Sequence, residues 1–315
     1  MSVGKIKVGV SSCLLGEEVR HDGGAKRQAF LTDVLVNYFD LIPTCPEVDI
    51  GLGVPRPTIH LIGDPKSPNL VFVRDHSNDI TDKMQKYATK RASQLKGLSG
   101  YIFKKNSPTC GPDVKVYQTV PKPPKRGIGV FYKAFCETHP LLPVEDEGRL
   151  NDPNLRANFI ERVFLLHKWQ AAMKKGVTAK KLVDFHSQHK LALMSHNLSA
   201  YKRLGVMIAN INKKDLSGFA DDYIQEIMLA FKYIANTKKV ANVLHHCMGY
   251  LKREISSLDK QELLKTIEEY RLGRLPLIVP VTLLKHHLMH YPNDYLCNQS
   301  FLNPYPDELM LRNKI

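Results

Sequence analysis

Up to about residue 150, short β-branched apolar runs alternate with stretches of helical spacing; beyond Asn151-Asp152-Pro153 only helical spacing remains. Because strands repeat every two residues and helices every 3.6, this change of period divides the chain into two kinds of fold. Residues 5–10 (KIKVGV) read as a buried strand running into Ser11-Ser12-Cys13-Leu14-Leu15-Gly16. Residues 26–39 have helical spacing, with Phe30, Leu31, Val34 and Leu35 toward the core. A short strand over 40–44 stops at Cys45-Pro46-Glu47, and 71–73 is another. Residues 81–96 predict a helix capped by Thr81 or Asp79. The strand 100–103 is closed by Lys104-Lys105-Asn106-Ser107-Pro108-Thr109-Cys110-Gly111. Strands alternating with helices predict an α/β domain over 1–150, an open, mostly parallel sheet with helices on both faces.

In the remainder, Asn151-Asp152 ahead of Pro153 predicts a helix running to about Lys175. Thr178 caps the next, with Leu182, Phe185 and His189 on one stripe. Residues 219–255 predict one long helix or two consecutive ones, Asp259 with Glu262 resembles a capping box, and Pro280 opens the last. An all-α domain over 151–315 is expected. A chain of 315 residues is long for one domain, and a 43% hydrophobic content excludes disorder. No apolar run approaches the roughly 18 residues of a membrane span, and MSVGKIKVGV lacks a signal peptide's apolar core. The expectation is a cytoplasmic protein with no membrane partner.

The net charge is +14, with 21 basic against 16 acidic residues up to position 150 and 24 against 15 after it. A basic surface draws polyanions, although solubility alone also accounts for moderate basicity. Of six cysteines, Cys136, Cys247 and Cys297 read as small buried side chains. Cys13, Cys45 and Cys110 each lie just after a predicted strand, and strand carboxyl ends in an open parallel sheet share the edge where ligands bind. Three thiolates suit zinc or an iron–sulfur cluster; there is no C-x-x-C pair and no obvious fourth ligand. Glu47 and Ser107 lie close by in sequence, as a proton carrier and an orienting hydroxyl or as a helix cap and a turn residue. Nine of the 13 histidines follow residue 150, with His186 and His189 on one helix face, so a second metal site in the helical domain is also open.

Five segments taken together, Ser12-Cys13-Leu14-Leu15-Gly16, Val19-Arg20-His21-Asp22-Gly23, Cys45-Pro46-Glu47, Gly53-Val54-Pro55-Arg56 and Ser107-Pro108-Thr109-Cys110-Gly111, resemble the thiouracil desulfidase family. The resemblance implies a 4Fe–4S cluster on Cys13, Cys45 and Cys110 with one iron left open. It also implies Glu47 and Ser107 as the catalytic pair, and hydrolytic removal of sulfur from a thiolated pyrimidine. His21 and Thr109 stand where many members have tyrosine and serine. Glu147-Gly148-Arg149-Leu150-Asn151-Asp152, Phe185-His186, His189-Lys190, residues 276–280, residues 284–287 and Asn303-Pro304-Tyr305-Pro306 are similar to a helical domain of the YbgA type. The fusion resembles bacterial tRNA 4-thiouridine desulfidases, which implies tRNA as partner. Expected substrate contacts are Arg20, Asp22, Arg56, Lys104 and Lys105, with Lys122, Lys125 and Arg126 near the mouth. Alternatives are a desulfidase of free thiouracil and a metal-stabilised RNA-binding protein without turnover.

Overall fold

The computed structural model describes residues 5–118, 122–211 and 215–314, so Val120 and Pro121 of the basic loop lie outside the described residues. It divides into two units, Met1–Asp152 and Pro153–Ile315. Among the described residues of the first, nine strands occur in chain order: β1 (Ile6–Ser11), β2 (Phe39–Thr44), β3 (Ile59–Ile62), β4 (Asn69–Phe72), β5 (Asp75–Asp79), β6 (Gly100–Phe103), β7 (Val114–Tyr117), β8 (Lys125–Gly127) and β9 (Val144–Asp146). Its helices are α1 (Pro46–Asp49), α2 (Thr81–Gln94) and α3 (Val130–Thr138).

One sheet has the order β2-β1-β6-β9 and every pair in it is parallel. β1 is central, and Val8 and Val10 are fully buried, as a strand covered on both faces requires. Gly9 stands opposite Tyr101 of β6, and a Cβ there would come within 2.2 Å of the tyrosine ring. The missing side chain lets Tyr101 lie across β1 and join a buried aromatic group with Phe103, Phe131 and Phe135. The chain passes from β1 outward to β2, then returns to β6 on the other side of β1. That reversal opens a crevice at the carboxyl ends of the strands.

Two expectations need correction. Residues 26–39 do not form a regular helix: Phe30–Val34 makes one wide π-type turn and Leu35–Asn37 one tight turn. Leu31 and Leu35 are buried as expected, but Thr32, Asp33, Val34 and Val36 are poor helix formers in a stretch too short to propagate. The 71–73 run belongs to a different sheet. There β4 pairs antiparallel with β3 and β5, in a mixed five-stranded sheet of order β5-β4-β3-β7-β8. Leu61, Leu70, Val114 and Val116 bury its inner face together with Met84 of α2.

The second unit holds α4 (Pro153–Met173), α5 (Ala179–His196), α6 (Leu198–Ala209), α7 (Leu216–Phe231), α8 (Thr237–Leu251), α9 (Ser257–Arg271), α10 (Ile278–His290) and α11 (Asp294–Cys297). Thr178 caps α5 by accepting from the Lys181 N–H. Residues 219–255 fall into two helices, because Asn236 caps α8 anew. The capping box of α9 is Ser256 with Asp259, so Asp259 is the reciprocating third residue and not the cap. Among the described residues no helix is long and apolar enough to cross a membrane.

His186 and His189 are buried on α5, and desolvation lowers each to about 4. His189 Nδ1 donates to the Phe185 carbonyl at 2.8 Å, while its Nε2 is buried without a partner, the arrangement of a neutral ring. The unfolded chain takes up these two protons below about pH 6.5; the native chain resists until about pH 4. His196 goes the other way. Burial opposes its charge, yet Glu161 outweighs this and raises it, so its contribution is present below about pH 6.5 and is lost as pH rises above that. The contribution of His186 and His189 to stability is therefore complete above about pH 6.5 and declines as pH falls toward 4. Urea titrations followed by fluorescence of Trp169, which packs on Phe185 and Tyr223, will show this decline, and His189→Leu will make it shallower.

Candidate active site

The carboxyl ends of three adjacent parallel strands supply the three cysteines. Cys13 lies in the tight turn Ser12–Leu15 after β1, Cys45 caps α1 directly after β2, and Cys110 ends the loop after β6. All three are free thiols, and all three line one cavity of about 370 Å³. The other wall residues include Arg20, His21, Glu47, Arg56, Lys104, Lys105, Ser107 and Thr109. Cys136, Cys247 and Cys297 are not among them.

The loop carrying Ser107 and Cys110 is held by the start of α3. Phe131 N–H and Tyr132 N–H both donate to the Thr109 carbonyl, at 2.9 and 3.1 Å, and Gly129 N–H donates to Gly111 O at 2.8 Å. A Cβ on Gly129 would fall 2.5 Å from the Thr109 carbonyl oxygen, so only glycine allows this approach. Ser107 Oγ accepts from the N–H groups of Thr109 and Cys110 at 3.3 and 3.1 Å, which turns its own proton outward.

Glu47 is the centre of the polar network. Arg56 Nη2 and Nε donate to its Oε2 at 2.6 and 3.1 Å, while Arg56 Nη1 donates to Gly53 O at 3.0 Å. The side chains are 3% and 13% exposed, so this ion pair is buried. Oε1 accepts from Thr109 Oγ1 at 2.8 Å, and Ser107 Oγ lies 2.9 Å from Thr109 Oγ1. The direct Ser107–Glu47 distance is 3.4 Å. A hydroxyl has one proton, so the chain runs Ser107 to Thr109 to Glu47. In the sequence Thr109 is only a replacement for the serine of many family members; its place between Ser107 and Glu47 arises from the fold.

The expected substrate contacts divide. Arg56 turns inward to Glu47 and Lys104 pairs with Glu147, so neither faces the cavity as a free cation. Glu147 also accepts from the Lys105 N–H at 2.6 Å and so ties down this loop, a role not read from sequence. Asp22 does not line the cavity. It accepts from Arg20 at 3.1 and 3.2 Å and from Gly24 N–H, and the Arg20 contact holds its carboxyl down at about 2. Arg20 and Lys105 remain at the wall, with Lys105 exposed.

Burial, followed by the charge of Cys45, pushes the Cys13 thiol up to about 11; burial also raises Cys45 and, with Glu47, Cys110. Three thiolates here therefore demand a positive partner. Among the described residues no three His, Cys, Asp or Glu groups stand close enough to hold a single metal ion. The same finding leaves the histidines of the second unit without a described metal group. Thiolates are the donors an iron–sulfur cluster takes, and Cys13, Cys45 and Cys110 line one cavity as free thiols.

Residues 8–147 match the family model described as 2-thiouracil desulfurase, and residues 190–306 match the protein of unknown function DUF1722. The uncharacterized protein YbgA of Escherichia coli strain K12 is 32% identical over 153 residues, 48% of this chain and 90% of that protein. A solved structure of the 4Fe-4S-dependent thiouracil desulfidase TudS is 27% identical and covers 47% of this chain and 95% of its own, with a TM-score of 0.38. The first unit is a 2-thiouracil desulfurase domain, an enzyme domain, and the reading without turnover gives way to that match. The chain belongs to the YbgA-like family and carries this desulfurase domain ahead of its DUF1722 region.

Removing one member of a buried ion pair leaves the other charge unpaired, at a cost of about 3–5 kcal/mol. Arg56→Met is expected to lower amide-exchange protection across β1, β2 and β6 accordingly. The double variant Arg56→Met/Glu47→Met is expected to recover much of that protection.

Proposed function

We propose that the first unit removes sulfur hydrolytically from 4-thiouridine in tRNA, releasing uridine and sulfide. The observation that carries this reading is the meeting, in one cavity, of three thiols with the Ser107–Thr109–Glu47 hydroxyl chain. The reaction exchanges C=S for C=O with one water and has no net redox change. Cys13, Cys45 and Cys110 would hold a 4Fe–4S cluster, which when bound supplies a thiophilic Lewis acid for the departing sulfur.

The chain's own groups account for the water and its protons. Arg56 occupies Oε2 of Glu47, so Oε1 is the lone pair that accepts a proton from water, directly or through Thr109. Ser107, fixed by two backbone N–H groups, orients the water or the ring edge. Thr109 is a positioning residue, since it acts through Glu47 and Ser107. Arg20 and Lys105 at the wall face an anionic substrate, and the excess of basic residues in both halves supports tRNA as partner.

The test is anaerobic purification, assay of bound iron and sulfide, and loss of thiouridine absorbance from tRNA and from the free base. Alanine at Cys13, Cys45 or Cys110 is expected to abolish bound iron. Glu47→Gln is expected to retain iron and lose about 10²–10⁴-fold in kcat. Thr109→Val is expected to lose about 10-fold or more, with Thr109→Ser restoring the rate. Turnover of free thiouracil with none on tRNA would overturn the tRNA reading.

A further inference from the structure

Strand alternation decides which side chains share the outer face of the mixed sheet. Along β7, Val114 and Val116 are buried while Lys115 and Tyr117 are exposed. Lys115 stands opposite Arg126 of β8, and Val116 opposite Leu61 of β3. His60, one residue before Leu61, therefore shares the face of Lys115 and Tyr117. Together these residues line a second cleft of about 390 Å³. Ile59, Asn106 and Pro108 belong to its wall and also to the wall of the thiol cavity, so the two spaces are neighbours.

The chemistry of this second cleft differs from the first. The His60 ring lies with its centroid 5.0 Å from Tyr117, and Tyr117 is 41% exposed. His76 is on the other side, its Nε2 3.1 Å from that of His60. Burial and then His76 lower His60, which keeps a flat, uncharged ring at neutral pH. Arg126 holds Asp113, but both side chains are 59% exposed, and an ion pair so open to water contributes little. A phosphate can therefore take the guanidinium.

We propose that this cleft holds the nucleotide adjacent to the thiolated one in an RNA strand, its base against His60 and Tyr117 and its phosphate on Lys115 and Arg126. The inference rests on the desulfidase reading above and adds to it where the neighbouring nucleotide of the strand is held. Aromatic faces interleaved with cations are how proteins hold single-stranded nucleic acid, because every base has a stacking face and every linkage a charge. A free base would fill the thiol cavity and leave this wall unused; a strand extends into both.

The experiment compares the whole protein with its Lys115→Ala/Tyr117→Ala variant. One substrate is the nucleoside 4-thiouridine, the other a trinucleotide with 4-thiouridine at its centre. Loss of one stacked base and one phosphate contact is expected to lower kcat/KM on the trinucleotide by about 10–100-fold, with the nucleoside rate unchanged. Binding of an unthiolated trinucleotide, followed by anisotropy, is expected to weaken by a similar factor and to lose about one unit of salt slope. Tyr117→Phe keeps the ring and is expected to bind as the parent does. An equal fall on both substrates, or unchanged trinucleotide binding, overturns the proposal. If the parent turns over neither substrate yet the binding loss is seen, the desulfidase reading fails and the nucleotide cleft stands.

Discussion

A carboxylate buried beside three sulfurs is unfavourable unless a cation is buried with it, and Arg56 is that cation. Its backbone N–H donates to His21 O at 2.9 Å and its Nη1 to Gly53 O, so one residue joins two loops over the sheet edge. By occupying Oε2 of Glu47 it also decides which oxygen is left for Thr109. The orientation of the hydroxyl chain follows from that single ion pair.

Lys104 and Glu147 repeat the device on the other side of the cavity. Lys104 N–H donates to Ser11 Oγ at 3.0 Å, at the end of β1, and its ammonium pairs with Glu147 just beyond β9. Four of the five residues expected to meet substrate thus neutralise charge within the protein, Arg56 and Lys104 on Glu47 and Glu147, and Arg20 and Asp22 on each other. At the wall Lys105 is exposed, and the Arg20–Asp22 pair is open to solvent, where a polyanion arrives. Internal balance and substrate attraction fall to different residues because a buried cation must have its partner in place before any ligand binds.

The alternation of strands and helices was legible in the sequence because parallel, doubly covered strands such as β1 and β6 are largely apolar, with Lys7 and the terminal Ser11 the polar residues of β1. β3, β5, β7, β8 and β9 were not legible: all are short, and β3, β5, β7 and β8 carry exposed or half-exposed residues such as His60, His76, Lys115 and Arg126. Residues 26–39 had helical spacing, but Thr32, Asp33, Val34 and Val36 interrupt its helix formers, and packing of Leu31 and Leu35 was satisfied by two turns instead. The histidines after residue 150 show the limit of counting ligand types. His186 donates to or accepts from Tyr223 and His196 pairs with Glu161, roles that spacing along α5 does not contain.

The sequence by itself determined the period change near residue 150 and placed Cys13, Cys45 and Cys110 after strands, since both follow from local patterns of side chains. Only the tertiary structure decided that the sulfurs share a cavity, that Thr109 stands between Ser107 and Glu47, and that Arg56 and Lys104 face inward. Partners such as Glu47 and Arg56, or Lys104 and Glu147, are brought together by strand order and loop closure, which no spacing along the chain records.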